Sequence, residues 1–147
     1  MPHNHEWQFR IRAIEREYVA MRQAADRFQQ NALDDPSILR EDLRYGEIRE
    51  ASKNLEGTYL IRLFAEFETG VRQYWGANWG TVPRTVDLLN ALAARRGIPD
   101  PKRDSAHVVR DYRNALVHER DDELESMSLA VARSHLCHFF SYLPPHW

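Results

Sequence analysis

The chain has very little of what small secreted domains and membrane proteins depend on. Its 147 residues include a single cysteine, Cys137, so no disulfide can form within the chain. No apolar run approaches the roughly 20 residues that a membrane-spanning helix needs. Residues 1–12 mix proline, histidine and charged side chains, without the uninterrupted apolar core of a secretory signal. We therefore expect a cytoplasmic protein that has no membrane as a partner.

An excess of charge of one sign is also missing, which limits the possible partners. Lys and Arg number 20 and Asp and Glu number 22, a formal net charge of −2. A protein that coats nucleic acid by bulk charge would be strongly basic, so only a local basic patch could bind phosphates here. Residues 95–113 hold six basic and three acidic side chains, a local charge of +3 that could follow a phosphate backbone.

The common metal, nucleotide and hydrolase motifs are absent from the sequence. There is no glycine-rich phosphate loop and no serine nucleophile elbow. His135 and His138 have helical i, i+3 spacing, but no Glu-x-x-His pair accompanies them. Cys137, between them, fits a small buried hydrophobe better than a nucleophile. We expect neither a metal site nor another cofactor.

No stretch alternates with period two for long enough to predict a strand, and the apolar residues that are present follow helical spacing. From Trp7 to Phe28 they recur at steps of four and three, which indicates a long N-terminal helix within residues 1–34. Alanine and leucine are twice as common as valine and isoleucine, a composition typical of helices. We predict a single all-α domain over 1–147, an up-and-down-like bundle of about five helices without a β-sheet.

Local signals predict where the other helices begin and end. Asp35 and Pro36 fit a helix start, and Gly57–Thr58 is expected to interrupt the chain between an irregular helical stretch and a central core helix. Gly97, after two arginines, fits a helix stop. The expected elements are helical stretches over about 37–56, 60–75, 84–96, 105–118 and 128–143. In the stretch over 84–96, the residues expected to face inward are Val86, Leu89, Leu92 and Ala93. Residues 98–103 are expected to form a connector, and Asp104 or Ser105 to cap the helix that follows it.

The helix expected over 105–118 has two unlike faces. A helical wheel centred on Tyr112 gives a buried stripe that also contains Ser105, Val108, Val109, Ala115 and Leu116. The opposite face collects Arg110, Arg113, Asn114, Val117 and His118. A guanidinium, a carboxamide and an imidazole thus share one surface with a valine among them, which suits an anion or a second protein chain. We predict that Tyr112 is buried and that Arg113 is not.

The run Arg113–His118 resembles the Arg-x4-6-His signature of HEPN domains, including the polar residue that often follows the arginine. The stretch Glu66–Arg72 looks like the central HEPN helix. A signature helix followed by an acidic loop and a final helix is also the order of that family. The resemblance covers about residues 40–143, so the N-terminal helix over 1–34 would be an addition to it.

The resemblance implies a metal-independent endoribonuclease that acts as a homodimer and cleaves RNA by transesterification through the 2′-hydroxyl. Such proteins occur in toxin and defence systems, so a neutralising protein partner is a further expectation. The roles it implies are His118 as acid or base, Arg113 as phosphate clamp and RNA contact, Asn114 as orienting group and Glu68 as polar support. The polar face of the helix adds Arg110 as a second RNA contact and Val117 as a residue of the dimer interface.

Each of these side chains also has an ordinary explanation. Arg113 could pair with Asp111, Glu66 or Glu68, and His118 could interact with the helix dipole. Glu68 is already accounted for by an i, i+4 pair with Arg72. The segment 119–125 has a net charge of −4, which would repel phosphate. It favours the alternative hypothesis of a non-enzymatic HEPN-like module that binds RNA or a protein partner.

Overall fold

The computed structural model describes residues 3–118 and 125–147, and it confirms an all-α bundle of five helices. These are α1 (Asn4–Asp34), α2 (Tyr45–Trp79), α3 (Thr85–Arg96), α4 (Asp100–Val117) and α5 (Leu129–Phe140), with a short 3-10 turn at Pro36–Ile38. The described residues contain no β-strand. None of the helices in this part of the chain combines the length and apolarity that a bilayer crossing requires.

The core surrounds the second half of α2. Its Phe67 ring packs edge-on against Phe139 and Phe140 of α5, with ring centroids 5.7 and 5.9 Å apart. Gly70, one turn further along α2, lets Phe140 and Trp7 of α1 approach the helix backbone. A Cβ atom at position 70 would lie 2.8 Å from Phe140 Cζ and 3.0 Å from Trp7 Cδ2. Aromatic packing therefore fixes how α1 and α5 sit on α2.

The apolar pattern of α1 is buried over only half its length. Trp7, Ile11 and Ile14 are in the core, whereas Met21 and Phe28 are exposed. The second half of α1 packs against the first half of α2 through polar contacts as well, since Arg22 donates to the hydroxyl and carbonyl oxygens of Ser52 at 3.0 and 2.8 Å. The helix itself was predicted correctly, but its apolar residues are buried only in its first half and not along the whole predicted pattern.

The prediction of a break at Gly57–Thr58 is wrong, because α2 passes through both residues without interruption. The Leu116 side chain of α4 lies 3.5 Å from the position that a Cβ at Gly57 would occupy. Packing of this kind outweighs the loss of roughly 1 kcal/mol in helix propensity that a glycine brings. The helix also begins later than expected, at Tyr45, and continues past Gly76 to Trp79.

The boundaries of α3 and α5 agree closely with the sequence. Gly97 ends α3 in a left-handed conformation with φ of 63°. Ser128 caps α5 by accepting a hydrogen bond from the Val131 N–H, although α5 ends at Phe140, before the predicted 143. The inward residues of α3 include Leu88, which is buried, and exclude Val86, which is exposed.

Helix α4 begins five residues before the predicted start. It starts at Asp100 with Pro101 in its first turn, so residues 100–103 of the expected connector are helical and neither Asp104 nor Ser105 caps the helix. Proline fits there because the first helical N–H groups have no partner within the helix.

The inward face of α4 is turned by about 90° from the predicted one. Its buried residues are Ala106 and Val109, while Val108, predicted to be buried, is 53% exposed. Tyr112 is half-buried, so the prediction that it is buried is wrong, whereas Arg113 is half-buried and not buried, as predicted. The guanidinium carbon of Arg113 lies 5.8 Å from the Phe64 ring centroid. A long arginine side chain can cover apolar surface in this way while its charged end reaches polar surroundings.

Candidate functional site

A cleft of about 310 Å³ lies where α2, the start of α3 and α4 meet. Four residues predicted to form the site open onto it: Glu68, Arg110, Arg113 and Asn114. Phe64, Arg84, Thr85 and Val86 complete its lining. The structure thus brings together most of the predicted site, and it adds a wall from α3 that the sequence did not indicate.

Arg113 forms the inner side of the cleft. Its Nη1 donates to the Asn114 Oδ1 at 2.9 Å, which orients the two side chains together. Its Nε is buried and has no acceptor among the described residues. In the same part of the chain Arg113 makes no ion pair: Glu66 pairs with Arg10, and Glu68 with Arg72. The ordinary explanation of Arg113 as half of a surface salt bridge therefore finds no support in these contacts.

Arg110 lies one turn before Asn114 and is held by its neighbour in sequence. Its Nε and Nη2 donate to Asp111 Oδ1 at 3.2 and 2.7 Å. Its remaining nitrogen, Nη1, is buried without an acceptor among residues 3–118 and 125–147. One guanidinium nitrogen of Arg110 and one of Arg113 are therefore buried without an acceptor among the described residues. Buried donors in native proteins nearly always have a partner, so these two nitrogens call for one that the described residues do not supply.

Glu68 is occupied by a small network that ties α2 to α3. Arg72 donates to its carboxylate at 3.3 Å and to the Thr85 hydroxyl at 3.0 Å. The Thr85 hydroxyl in turn donates to Glu68. The i, i+4 pair of Glu68 and Arg72 predicted from the sequence is present. Because Arg72 balances its charge, Glu68 does not cancel the positive charge of the cleft arginines.

His118 and Val117 lie at the end of α4, outside the cleft lining. His118 is the C-cap residue, and its backbone N–H donates to the Asn114 carbonyl at 3.0 Å. Its side chain is exposed, and Val117 is 43% exposed. His118 is thus one helical turn beyond Asn114 and accessible to a ligand or a second chain. Of the acidic segment 119–125, residues 119–124 lie outside the described part of the chain.

Two other histidines are more enclosed than His118. Burial lowers the pKa of His107, and the nearby Arg110 lowers it further. A ring nitrogen of His107 lies 2.8 Å from Asn90 Oδ1, while its Nδ1 is buried without a partner among the described residues. Burial likewise lowers the pKa of His135, with a further effect of His138. Both sites favour the neutral imidazole, which suits a packing role.

No group of three His, Cys, Asp or Glu side chains in the described residues is arranged to hold a metal ion. Cys137 is buried in α5, and burial raises the pKa of its thiol. Its reactive thiolate form is therefore disfavoured.

Sequence reasoning missed Arg84, Thr85 and Phe64 as parts of the site. Phe64 could have been found, because it lies four residues before Glu68 on one helix face. Arg84 and Thr85 reach the cleft through the loop between α2 and α3, and no local pattern encodes how that loop places the start of α3.

Comparison of the chain with protein-family models, with curated proteins and with solved structures finds no significant match.

Proposed function

We propose that the chain is a metal-independent endoribonuclease of the HEPN type. The observation that carries the proposal is the cleft at α4, where Arg110, Arg113 and Asn114 meet and Arg113 forms no ion pair with any described residue. His118 follows on the same helix, one turn beyond Asn114. Phosphate binding and proton transfer are thereby combined on neighbouring turns of one helix.

The reaction that fits these groups is attack of an RNA 2′-hydroxyl on the adjacent phosphorus. The new bond is between the 2′-oxygen and phosphorus, and the bond to the 5′-oxygen breaks, which leaves a 2′,3′-cyclic phosphate. His118 takes the proton from the 2′-hydroxyl or gives one to the leaving 5′-oxygen, since an imidazole ring can both accept and donate a proton. Arg113 binds the phosphate oxygens as their negative charge grows, and Asn114 orients it.

One chain supplies one such histidine, so the proposal includes a two-fold homodimer. Two copies of α4 would meet near Val117, the exposed valine beside His118. A two-fold axis there places a second His118 near the first, which provides both an acid and a base.

Cleavage of a mixed RNA by the purified protein tests the proposal. We expect cleavage to persist in EDTA, to yield 2′,3′-cyclic phosphate ends, and to fail where hydrogen replaces the 2′-hydroxyl at the cleavage site. Loss of activity in EDTA, restored by added divalent metal, would contradict a metal-independent mechanism.

The second candidate is a module of the same family that binds RNA or a protein without cleaving RNA. It is favoured by the position of His118, which lies outside the lining of the cleft that holds the arginines. Binding of RNA that remains intact would support it. A cytoplasmic location, a role in a toxin or defence system and a neutralising protein partner belong to the proposal in either form.

A further inference from the structure

We infer that Arg84 and Arg110 bind a second backbone phosphate of the RNA strand, next to the phosphate that Arg113 holds for cleavage at His118. The inference rests on the proposed function and adds a binding position to it. It assigns a role to Arg84, the residue immediately before α3, which lines the cleft together with Arg110 and Arg113.

The charge of the cleft is the first support. Among the described residues, three arginines and one carboxylate, Glu68, line the cleft, and Arg72 from outside the lining already pairs with that carboxylate. Asp111 accepts hydrogen bonds from two nitrogens of Arg110, whereas Arg84 and Arg113 form no ion pair with any described residue. Among the described residues the cleft therefore retains positive charge, and guanidinium groups bind the oxygens of a phosphate well.

The placement of Arg84 is the second support. The residues on either side of it are anchored to α2, since the Pro83 carbonyl accepts from Arg72 at 3.4 Å and Thr85 is bonded to Arg72 and Glu68. The Arg84 carbonyl accepts the Leu88 N–H at 2.8 Å. The backbone at Arg84 is thus fixed at the cleft while its side chain remains exposed. This arrangement lets a long guanidinium close over a ligand.

The spacing along α4 is the third support. Arg110 and His118 are about two helical turns apart, and Arg113 lies between them. A single phosphate held between Arg84 and Arg110 is consequently displaced from His118 toward α3. A strand that follows α4 can place one phosphate there and the next at Arg113 and His118. The ligand is therefore a chain of phosphodiesters, since a lone phosphate would use only one of the two positions.

Binding of a short single-stranded RNA at several salt concentrations tests the inference without requiring cleavage. The His118→Ala protein serves as the parent, and Arg84→Gln is compared in it with Arg27→Gln, which removes an exposed arginine of α1 outside the cleft. Loss of one phosphate contact should lower the slope of log affinity against log salt by about 1. We expect Arg84→Gln to do so and to weaken binding about tenfold at low salt, whereas Arg27→Gln should change neither. Equal slopes for the two variants would overturn the inference.

Substrate length provides a second measurement in the protein with His118 intact. Arg84→Gln should raise KM about tenfold for a strand of several nucleotides, because a uniform binding contact is lost. The effect should disappear with a dinucleoside monophosphate, which has no second phosphate. The same loss on both substrates would contradict a separate position.

The two proposals can fail separately. If the wild type binds RNA without cleaving it and Arg84→Gln still lowers the salt slope, the nuclease proposal fails and the phosphate position stands. Inorganic phosphate that saturates the cleft at micromolar concentration would assign it to a small phosphorylated ligand and overturn the RNA assignment.

Discussion

Arg113 differs most from an ordinary surface arginine. Its guanidinium lies over the Phe64 ring, bonds to Asn114, and keeps a buried Nε without an acceptor among the described residues. The sequence identified Arg113 as important through its spacing to His118. The sequence could not show that the Arg113 side chain points partly inward. The helical wheel of residues 105–118 was centred on Tyr112, because a tyrosine is found in protein cores more often than an arginine.

Replacing Arg113 by lysine tests whether its planar group matters. Arg113→Lys retains the charge but loses the paired N–H donors and the bond to Asn114. We expect RNA cleavage to fall about 10²- to 10³-fold, the usual effect of removing a donor aimed at developing charge. Thermal unfolding monitored by circular dichroism should change little. An Arg113→Lys enzyme with near wild-type turnover would show that simple charge attraction suffices.

His107 should make the stability of the protein depend on pH. Its folded pKa is lowered from 6.5 by burial and by Arg110. As the pH drops below this ordinary value, the unfolded chain takes up a proton that the folded protein does not, so the free energy of unfolding falls. Well above this pH, His107 is neutral in both the folded and the unfolded chain, so it no longer changes the free energy of unfolding.

Urea titrations at about pH 7.5 and pH 5.5 measure this dependence. We expect the wild type to lose more stability on acidification than His107→Gln, which cannot gain the proton. His118→Gln, at an exposed position at the end of the same helix, is the matched control and should behave as the wild type. Equal losses in all three proteins would assign the dependence to other groups.

At the scale of the element, α2 shows most clearly what local sequence leaves open. Gly57, predicted to break the helix, lies inside it under Leu116, and Gly70 lies inside it under Phe140 and Trp7. The type and order of the helices followed from their apolar spacing. Whether a glycine ends a helix or gives room to a neighbour depends on residues distant in sequence, and so the boundaries of α2 were beyond local reasoning.

Alanine at these two glycines should have opposite effects on stability. At position 57 the new methyl group would make ordinary contact with Leu116 at 3.5 Å, so Gly57→Ala should gain about 0.5 to 1 kcal/mol in helix propensity. At position 70 it would clash with Phe140, and Gly70→Ala should lose about 1 to 3 kcal/mol through overpacking. Denaturant unfolding of the two variants measures whether each substitution raises or lowers the free energy of unfolding. A stabilised Gly70→Ala protein would contradict the packing described for the core.

At the scale of the whole molecule, the predicted fold class is correct and the assembly remains a prediction. The helices could be predicted because apolar residues recur with helical spacing along the chain. That spacing arises because each helix buries one face. The cleft does not follow from this spacing, because it needs α3 and α4 folded against α2, which brings Arg84 near Arg113 across 29 positions of the chain.

The homodimer is tested by replacing Val117. Val117→Asp would place a carboxylate without a partner in each half of the interface and should weaken association. Val108→Asp, at another exposed valine of the same helix, is the control and should leave the dimer intact. Light scattering at micromolar protein should give twice the chain mass of 17.3 kDa for the wild type and for the control. A wild type that is strictly monomeric would remove the two-histidine site.

The most direct measurement is the rate of RNA cleavage by His118→Ala in the presence of EDTA. His118 is exposed at the end of α4, so the variant should fold as the wild type does, which circular dichroism verifies. We expect its rate to fall about 10²- to 10⁴-fold, the usual contribution of general acid–base catalysis. His138→Ala should retain full activity. A well-folded His118→Ala protein that cleaves RNA at the wild-type rate would contradict the assignment of the catalytic site.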